Sequence, residues 1–182
     1  MHSNPILIRN ISHLTDARYF AAMGVDWMSM VLSNDPISFS KWHTLRDWIS
    51  GVHLAAEVPH ADETLMAKTI IDAKPEGIIF EKLDQIHLTG GLQVFLLNDH
   101  DSDHRENALY AQIIQYPDIQ LENILRLNPQ HVFLEANWTK EMIMELKSKN
   151  YNGGFCFTGE SETAVGIRDY ARMDEMLELI RS

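Results

Sequence analysis

Five charged residues each stand at the end of a predicted strand, where this chain is best placed to do chemistry. They are Arg9, Glu57, Glu81, Asp99 and Glu135. The carboxyl ends of parallel strands meet on one face of a sheet, and ligands and active sites lie on that face. Converging carboxylates there would suit magnesium, calcium, another cation or an amine-bearing ligand. The plainer interpretation is a rim of partly solvated acids that balances Arg9.

Two other groups offer weaker chemistry. His100, Asp101, Asp103 and His104 form a polar run whose spacing matches no tetrahedral zinc pattern and is typical of a solvated loop. Cys156 has no evident base nearby in the sequence and stands between two phenylalanines, which favours a role as a filler of the protein interior. We therefore predict no metal and no cofactor.

Alternating strands and helices position the charged residues. Residues 5–8 form a short apolar run, and residues 27–32 are apolar on both faces, as in a strand covered on both sides. Between them apolar residues recur at helical spacing, with Ser12 or Thr15 placed to cap the helix and Gly24 placed to end it. Such a strand–helix–strand unit predicts parallel pairing.

The same pattern continues along the chain. It predicts strands at residues 5–8, 27–32, 52–58, 77–81, 92–97, 111–116, 131–136 and 153–158. Eight alternations in 182 residues favour one domain, residues 1–182, folded as a compact α/β (β/α)8 TIM barrel. The connection after the fourth strand, residues 82–91, is shortened. A flavodoxin-like open sheet of five or six strands is the alternative, because the sixth strand is weak.

Apolar side chains of the predicted helices are expected to pack on the sheet. This expectation covers Trp42, Trp48, Met142, Met144, Met173 and Met176. The alternative is that some of them form a dimer surface. The chain is therefore predicted to be a monomer or a homodimer.

Charge and composition exclude several classes of partner. The net charge of −11 repels nucleic acids and anionic membrane surfaces, so we expect neither as a partner. No apolar stretch approaches the ~20 residues that span a bilayer. One cysteine fits a reducing compartment, and the residues 1–8 lack the basic region of a signal peptide. These features predict a cytoplasmic protein.

Short motifs at both ends of the chain carry a family resemblance. They read Leu-Ile-Arg-Asn-Ile-Ser at 7–12, Leu-Thr-Asp-Ala at 14–17, Gly-Val-Asp at 24–26, Asp-Pro-Ile-Ser-Phe at 35–39, Gly-Phe-Cys-Phe-Thr-Gly-Glu-Ser-Glu at 154–162 and Gly-Ile-Arg-Asp at 166–169. In that order they resemble Lys-Ile-Cys-Gly-Ile-Thr, Leu-x-Asp-Ala, Gly-Ala-Asp, Ser-Pro-Arg-Tyr-Val, Gly-Val-Asp-Val-Ser-Ser-Gly-Val-Glu and Gly-Val-Lys-Asp of phosphoribosylanthranilate isomerases. Those enzymes are (β/α)8 barrels of tryptophan biosynthesis.

The resemblance implies roles for two positions. The cysteine that takes the C2 proton of the substrate falls on Arg9, and a guanidinium with a pKa above ~12 cannot accept a proton. Arg9 is then either a salt-bridge partner of the nearby acids or a clamp for a phosphate or carboxylate. The aspartate that protonates the furanose ring oxygen has its nearest counterpart in Asp118, which is also placed to cap a helix.

The resemblance also implies a phosphate site built from backbone N–H groups after the seventh and eighth strands. In this chain Glu135 and Asn137 follow the seventh strand and put a carboxylate where the phosphate would lie. Thr158 and Gly159 follow the eighth strand and offer donors to a ligand, with Glu160 next.

Three functions follow. The first is an isomerase that performs the family's Amadori rearrangement of N-(5'-phosphoribosyl)anthranilate. The second is an isomerase-like barrel that has lost this chemistry and binds a small molecule or a partner at the carboxyl-terminal face. The third is a repurposed enzyme or cation binder that uses an acidic mouth formed by Glu57, Glu81, Asp99 and Glu135. The missing catalytic residues favour the second.

Overall fold

The computed structural model describes residues 4–60, 62–81, 83–97, 110–117, 121–159 and 170–182. Several predictions fall outside these ranges. They concern Asp99, Asp118, Glu160 and the polar run at residues 100–104.

Eight parallel strands close into a barrel. They are β1 (Ile6–Arg9), β2 (Trp27–Val31), β3 (His53–Glu57), β4 (Gly77–Phe80), β5 (Gln93–Leu97), β6 (Ala111–Gln115), β7 (Val132–Glu135) and β8 (Gly154–Thr158). β1 pairs with β2 on one side and with β8 on the other, where Leu7 faces Cys156 and Arg9 faces Thr158. The (β/α)8 prediction is confirmed, the sixth strand included, and the open-sheet alternative is wrong.

Helices and turns connect the strands. The described α-helices are α1 (Leu14–Ala22), α2 (Pro36–Trp48), α3 (Glu63–Lys68), α4 (Leu121–Ile124), α5 (Lys140–Ser148) and α6 (Ala171–Arg181). A π-helical turn, Thr69–Ala73, extends α3, and a 3-10 helix, Pro129–His131, precedes β7. In the described part of the connection between β4 and β5, the only helical element is a 3-10 helix, Leu83–Leu88, so the predicted short fourth connection is confirmed.

Most helix ends follow the local sequence. Asp35 caps α2 by accepting from the Ile37 amide at 2.9 Å, and Thr139 caps α5 by accepting from the Met142 amide at 3.4 Å. Gly24, with a φ of +69°, follows the end of α1 as predicted. The predicted cap of α1 by Ser12 or Thr15 is wrong, because the N-cap residue is His13 and it makes no capping side-chain bond.

Two apolar cores flank the sheet. The barrel interior is filled by Leu7, Ala55, Ile79, Phe95, Leu97, Ala111, Ile113, Phe133 and Cys156. A larger core packs the helices on the outer face of the strands. A Cβ on Gly154 would lie 2.4 Å from the Phe133 ring, so this glycine admits the ring into the interior.

The two tryptophans of α2 have different environments. Trp42 is fully buried, and its indole N–H donates to the Ala73 carbonyl at 2.9 Å. Trp48 is 61% exposed and lies under the guanidinium of Arg18. The prediction that Trp48 packs on the sheet is therefore wrong, as it is for Met144, which is 59% exposed.

Among the described residues, no helix combines the length and the apolar character needed to cross a bilayer.

Candidate functional site

The strand period places polar side chains in the carboxyl-terminal layer of the barrel interior. Side chains two residues apart on a strand share a face. Three apolar residues of β1, β3 and β7 point into the barrel, namely Leu7, Ala55 and Phe133. The residues two positions later on the same strands therefore also point into the barrel, and they are Arg9, Glu57 and Glu135. The same rule carries Ser29, Gln115 and Thr158 inward after Trp27, Ile113 and Cys156. We call Arg9, Ser29, Glu57, Gln115, Glu135 and Thr158 the mouth network.

Arg9 binds Glu57 on one side of the barrel. Its Nε donates to Oε2 of Glu57 at 3.3 Å, and its Nη2 donates to Oε1. Oε2 also accepts from the Ser29 hydroxyl at 2.9 Å. Both oxygens of this carboxylate therefore have donors within the protein.

Arg9 binds Glu135 on the other side. Its Nη1 donates to Oε1 at 2.9 Å and to Oε2 at 2.7 Å. The Thr158 hydroxyl donates to Oε1 at 2.7 Å, and the Gln115 amide donates to Oε2. Arg9 thus connects β1 with β3 and β7, and the whole network draws on six of the eight strands.

These charges are largely withdrawn from solvent. The side chain of Arg9 is 15% exposed, and those of Glu57 and Glu135 are 4% and 7% exposed. The two acids are therefore buried, not partly solvated. Burial alone would lower the pKa of the Arg9 guanidinium, but the hydrogen bond and charge of Glu57 and the charge of Glu135 raise it above its ordinary value. Arg9 is a permanent cation.

Cys156 lies beneath this network and is fully buried. Burial raises the pKa of its thiol well above the ordinary 9.0, the charge of Glu135 adds to this, and Arg9 only partly opposes it. The thiol stays protonated and is not an activated nucleophile.

We expect Cys156 in the native protein to resist a thiol reagent at about pH 8 and to react at once in denaturant. Because the unfolded thiol ionises near pH 9 and the folded one does not, the cysteine's contribution to stability is complete below that pH and declines above it. Urea unfolding at about pH 7 and pH 9.5, compared with Cys156→Ala, measures this difference. Rapid labelling of the native protein would contradict the burial.

The other predicted acids do not join the network within the described residues. Glu81 lies 3.0 Å from Nδ1 of His60, and both side chains are substantially exposed. Asp99 and Asp118 lie outside the described ranges. Among described side chains, no group of three or more histidines, cysteines or acids is arranged to hold a metal ion.

A cavity of about 760 Å³ opens beside the mouth network, between the ends of β7 and β8 and the start of α6. Arg9, Gln115, Glu135 and Thr158 line it from the barrel. The loops after β7 and β8 add Ala136, Asn137, Trp138 and Gly159, and Phe157 and α6 supply the remaining wall. Its size lies within the range of small-molecule sites.

The first two turns of α6 carry Arg172, Met173 and Met176 on the cavity wall. Nη2 of Arg172 donates to the side-chain oxygen of Asn137 at 2.6 Å and to the carbonyl of Trp138 at 2.9 Å. The indole N–H of Trp138 in turn donates to the Cys156 carbonyl at 2.8 Å. This chain of bonds ties α6 to the loop after β7 and to β8.

The predicted donors at the end of β8 already have partners. The Thr158 hydroxyl donates to the carboxylate of Glu135, and the Gly159 amide donates to the Arg9 carbonyl at 2.8 Å. A Cβ on Gly159 would lie 3.2 Å from that carbonyl, so the chain passes close to β1 here. The backbone of this turn contributes to barrel closure.

Sequence reasoning missed three site residues, namely Ser29, Gln115 and Arg172. The signal for Ser29 and Gln115 was the two-residue period, which continues the interior faces of β2 and β6. For Arg172 the signal was its place in the first turn of the last helix, at the same face of the barrel as the loop after β7.

Comparisons with known proteins bear on the fold. Neither protein-family models nor curated proteins match the sequence. A phosphoribosylanthranilate isomerase structure from Thermus thermophilus is 12% identical, with a TM-score of 0.76, and the alignment covers 97% of this chain and 98% of that one. Monomers generated from the dimeric isomerase of Thermotoga maritima are 11% identical, with a TM-score of 0.76 and coverage of 98% and 99%.

Two further structures show what this likeness includes. An isomerase in complex with reduced 1-(o-carboxyphenylamino)-1-deoxyribulose 5-phosphate is 12% identical, with a TM-score of 0.74 and coverage of 97% and 98%. A truncated 3-deoxy-D-arabino-heptulosonate 7-phosphate synthase from Thermotoga maritima also matches, at 10% identity, a TM-score of 0.62 and coverage of 96% and 84%. One barrel fold thus serves different reactions. The chain has the (β/α)8 fold of the phosphoribosylanthranilate isomerases over nearly its whole length.

Proposed function

We propose that this protein is an isomerase-like barrel that has lost the isomerase reaction and binds a small molecule in the cavity beside the mouth network. It would act in the cytoplasm as a monomer or homodimer of one domain, residues 1–182, without nucleic acid. The observation that carries the proposal is the ion network of Arg9 with Glu57 and Glu135, which occupies the mouth of the barrel.

The proton acceptor of the reaction has no replacement in this network. The resemblance assigns that acceptor to the position of Arg9, whose pKa is raised by its two acid partners. Glu57 and Glu135 are the nearby bases, but each carboxylate oxygen already accepts at least one hydrogen bond. Taking a proton at either carboxylate would displace one of these donors and weaken the ion pair of that acid with Arg9. A general base must be able to reach and hold the proton it removes.

The family's acid falls on Asp118, outside the described residues. We assign no proton transfer to Asp118, which the sequence also places to cap a helix. An acid without its base would not complete the rearrangement, because the reaction needs both a proton donor and a proton acceptor.

The cavity is the proposed ligand site because it combines volume with polar and apolar walls. Asn137 and Thr158 present polar atoms, and Phe157, Met173 and Met176 supply apolar surface. Small-molecule sites use a few oriented polar groups for specificity and apolar surface for contact area. An Ala136→Trp variant would fill this space, so small molecules that raise the Tm of the native protein should lose their effect on that variant.

Complementation of a tryptophan auxotroph that lacks the isomerase tests the loss of activity. We expect no growth without tryptophan when this protein is expressed, and growth with the Thermotoga maritima isomerase as the positive control. An immunoblot establishes that the protein is present. Growth supported by this protein would refute the proposed loss.

A repurposed barrel that binds a cation through its acidic mouth is the alternative. The network disfavours it, because Arg9 pairs with both buried acids and all four of their carboxylate oxygens already accept hydrogen bonds from protein donors. We expect magnesium or calcium at millimolar concentration to leave the Tm unchanged beyond the effect of matched ionic strength with sodium chloride. A metal-specific rise that Glu135→Gln abolishes would favour the alternative.

A further inference from the structure

A reciprocal pair of tyrosine–aspartate contacts joins the first and last helices. The Tyr19 hydroxyl on α1 donates to Asp174 on α6, and the Tyr170 hydroxyl at the start of α6 donates to Asp16 on α1. The two tyrosine rings stack with centroids 3.9 Å apart and planes 20° apart. We call Asp16, Tyr19, Tyr170 and Asp174 the tyrosine clasp.

The clasp holds the part of α6 that forms a wall of the cavity. Tyr170 is the N-cap residue of α6, and the Asp174 amide donates to its carbonyl at 2.8 Å in the first turn. Three residues of this part of α6 line the cavity. Arg172 and Met173 lie between the two clasp residues Tyr170 and Asp174, and Met176 lies two residues after Asp174. A shift of this turn would therefore change the width of the cavity.

Other described contacts attach this turn from the opposite side. Arg172 bonds to the loop after β7, and Lys140 on α5 forms an ion pair with Glu175 in which both side chains are about half exposed. An exposed ion pair adds little. Asp16, by contrast, is only 1% exposed, so its bond to Tyr170 is sheltered from water. The start of α6 is thus held between α1 and the β7 loop, with the cavity on the β7 side.

We infer that the tyrosine clasp is a positioning device that sets access to the cavity by fixing the first turn of α6. The inference rests on the proposed function, since it concerns entry to the proposed ligand site. Tyr19 and Tyr170 are positioning residues, since neither side chain lines the cavity. Loss of the clasp opens the cavity locally and leaves the barrel closed.

Thiol labelling measures this opening without any ligand. A cysteine introduced by Met176→Cys reports access to the cavity, because Met176 is 4% exposed on its wall. Cys156 is fully buried in the barrel and reports global unfolding in the same molecule. Comparison of the two labelling rates separates local from global opening.

We expect the double variant Tyr19→Phe/Tyr170→Phe to raise the labelling rate at position 176 roughly tenfold relative to that of Cys156, the scale of one or two lost hydrogen bonds. Tyr151→Phe is the matched control. Its hydroxyl donates to the Gly154 carbonyl at 3.0 Å, at the amino end of β8 and away from the clasp. That variant should change both rates equally.

Equal changes at both cysteines in the clasp variant would overturn the inference, as would an unchanged rate at position 176. If Met176→Cys does not fold, hydrogen exchange of residues 170–176 in the clasp variant replaces it. Faster exchange there, with β8 unchanged, is the expected result, and uniform exchange would contradict it. Growth of the auxotroph would defeat the proposed function and leave this labelling result standing.

Discussion

Arg9→Met is expected to lower the free energy of unfolding by about 3–5 kcal/mol at pH 7, the largest effect of any single change in the mouth network. The substitution leaves the carboxylates of Glu57 and Glu135 buried and without their cation. The side chains of both acids are less than 10% exposed, so water cannot replace the lost partner without a rearrangement of the strand ends. Urea unfolding followed by circular dichroism measures the loss.

Two controls define the cause of that loss. Arg18→Met removes an exposed arginine that lies 4.9 Å from the centre of the Trp48 ring, and should cost no more than about 1 kcal/mol. The triple variant Arg9→Met/Glu57→Gln/Glu135→Gln removes all three charges together, and should recover part of the loss, since it no longer buries the two carboxylates that Arg9→Met leaves without their cation. A loss below about 1 kcal/mol for Arg9→Met would contradict the buried network.

Trp138→Ala is expected to cost about 3–5 kcal/mol, because it removes a large buried side chain and leaves a void beside the cavity. Trp138 is 2% exposed, and its ring contacts Tyr116, Phe155 and Phe157. The change also leaves the Cys156 carbonyl without the indole donor. Thermal and urea unfolding measure the loss.

Trp48→Ala is the matched control for this prediction. Trp48 is 61% exposed at the end of α2, so removal of its indole should cost about 1 kcal/mol or less. Equal losses for the two tryptophan variants would show that the wall of the cavity does not contribute more to stability than an exposed helix end.

The sequence predicted the fold because each strand has a recognisable pattern among neighbouring residues. Short apolar runs, helical spacing and stops such as Gly24 are properties of neighbouring residues, and eight repeats of them leave few topologies. The ends of the predicted strands also located Arg9, Glu57 and Glu135. Local patterns carry no information about the shear of the closed barrel, that is, the stagger between its strands. The shear decides which strand ends face each other.

That missing information explains the rest of the differences. Ser29 and Gln115 lie on interior faces but donate to acids on other strands, and only barrel closure brings them together. Glu81 follows β4 as predicted, yet pairs with the exposed His60 and takes no part in the mouth network. Trp48 is a large apolar residue of the kind found on buried helix faces, but its position in the last turn of α2 leaves it exposed to solvent.

The mouth network has the position of an active site in a barrel enzyme, but a different arrangement of charges. Its residues occupy the face on which barrel enzymes hold their catalytic groups, yet all four oxygens of its two carboxylates accept hydrogen bonds within the network. A general acid or base must change its protonation state during the reaction. In this barrel the same positions connect β1, β3 and β7 through the ion pairs of Arg9.

In the proposed function, Arg9 and its two acids leave no proton acceptor for the isomerase reaction. The decisive assay is conversion of N-(5'-phosphoribosyl)anthranilate by the purified protein, measured as the loss of substrate over time beside the Thermotoga maritima isomerase. We predict a rate equal to that of buffer alone. A catalysed rate that disappears on substitution of Glu135 or Glu57 by glutamine would contradict the account.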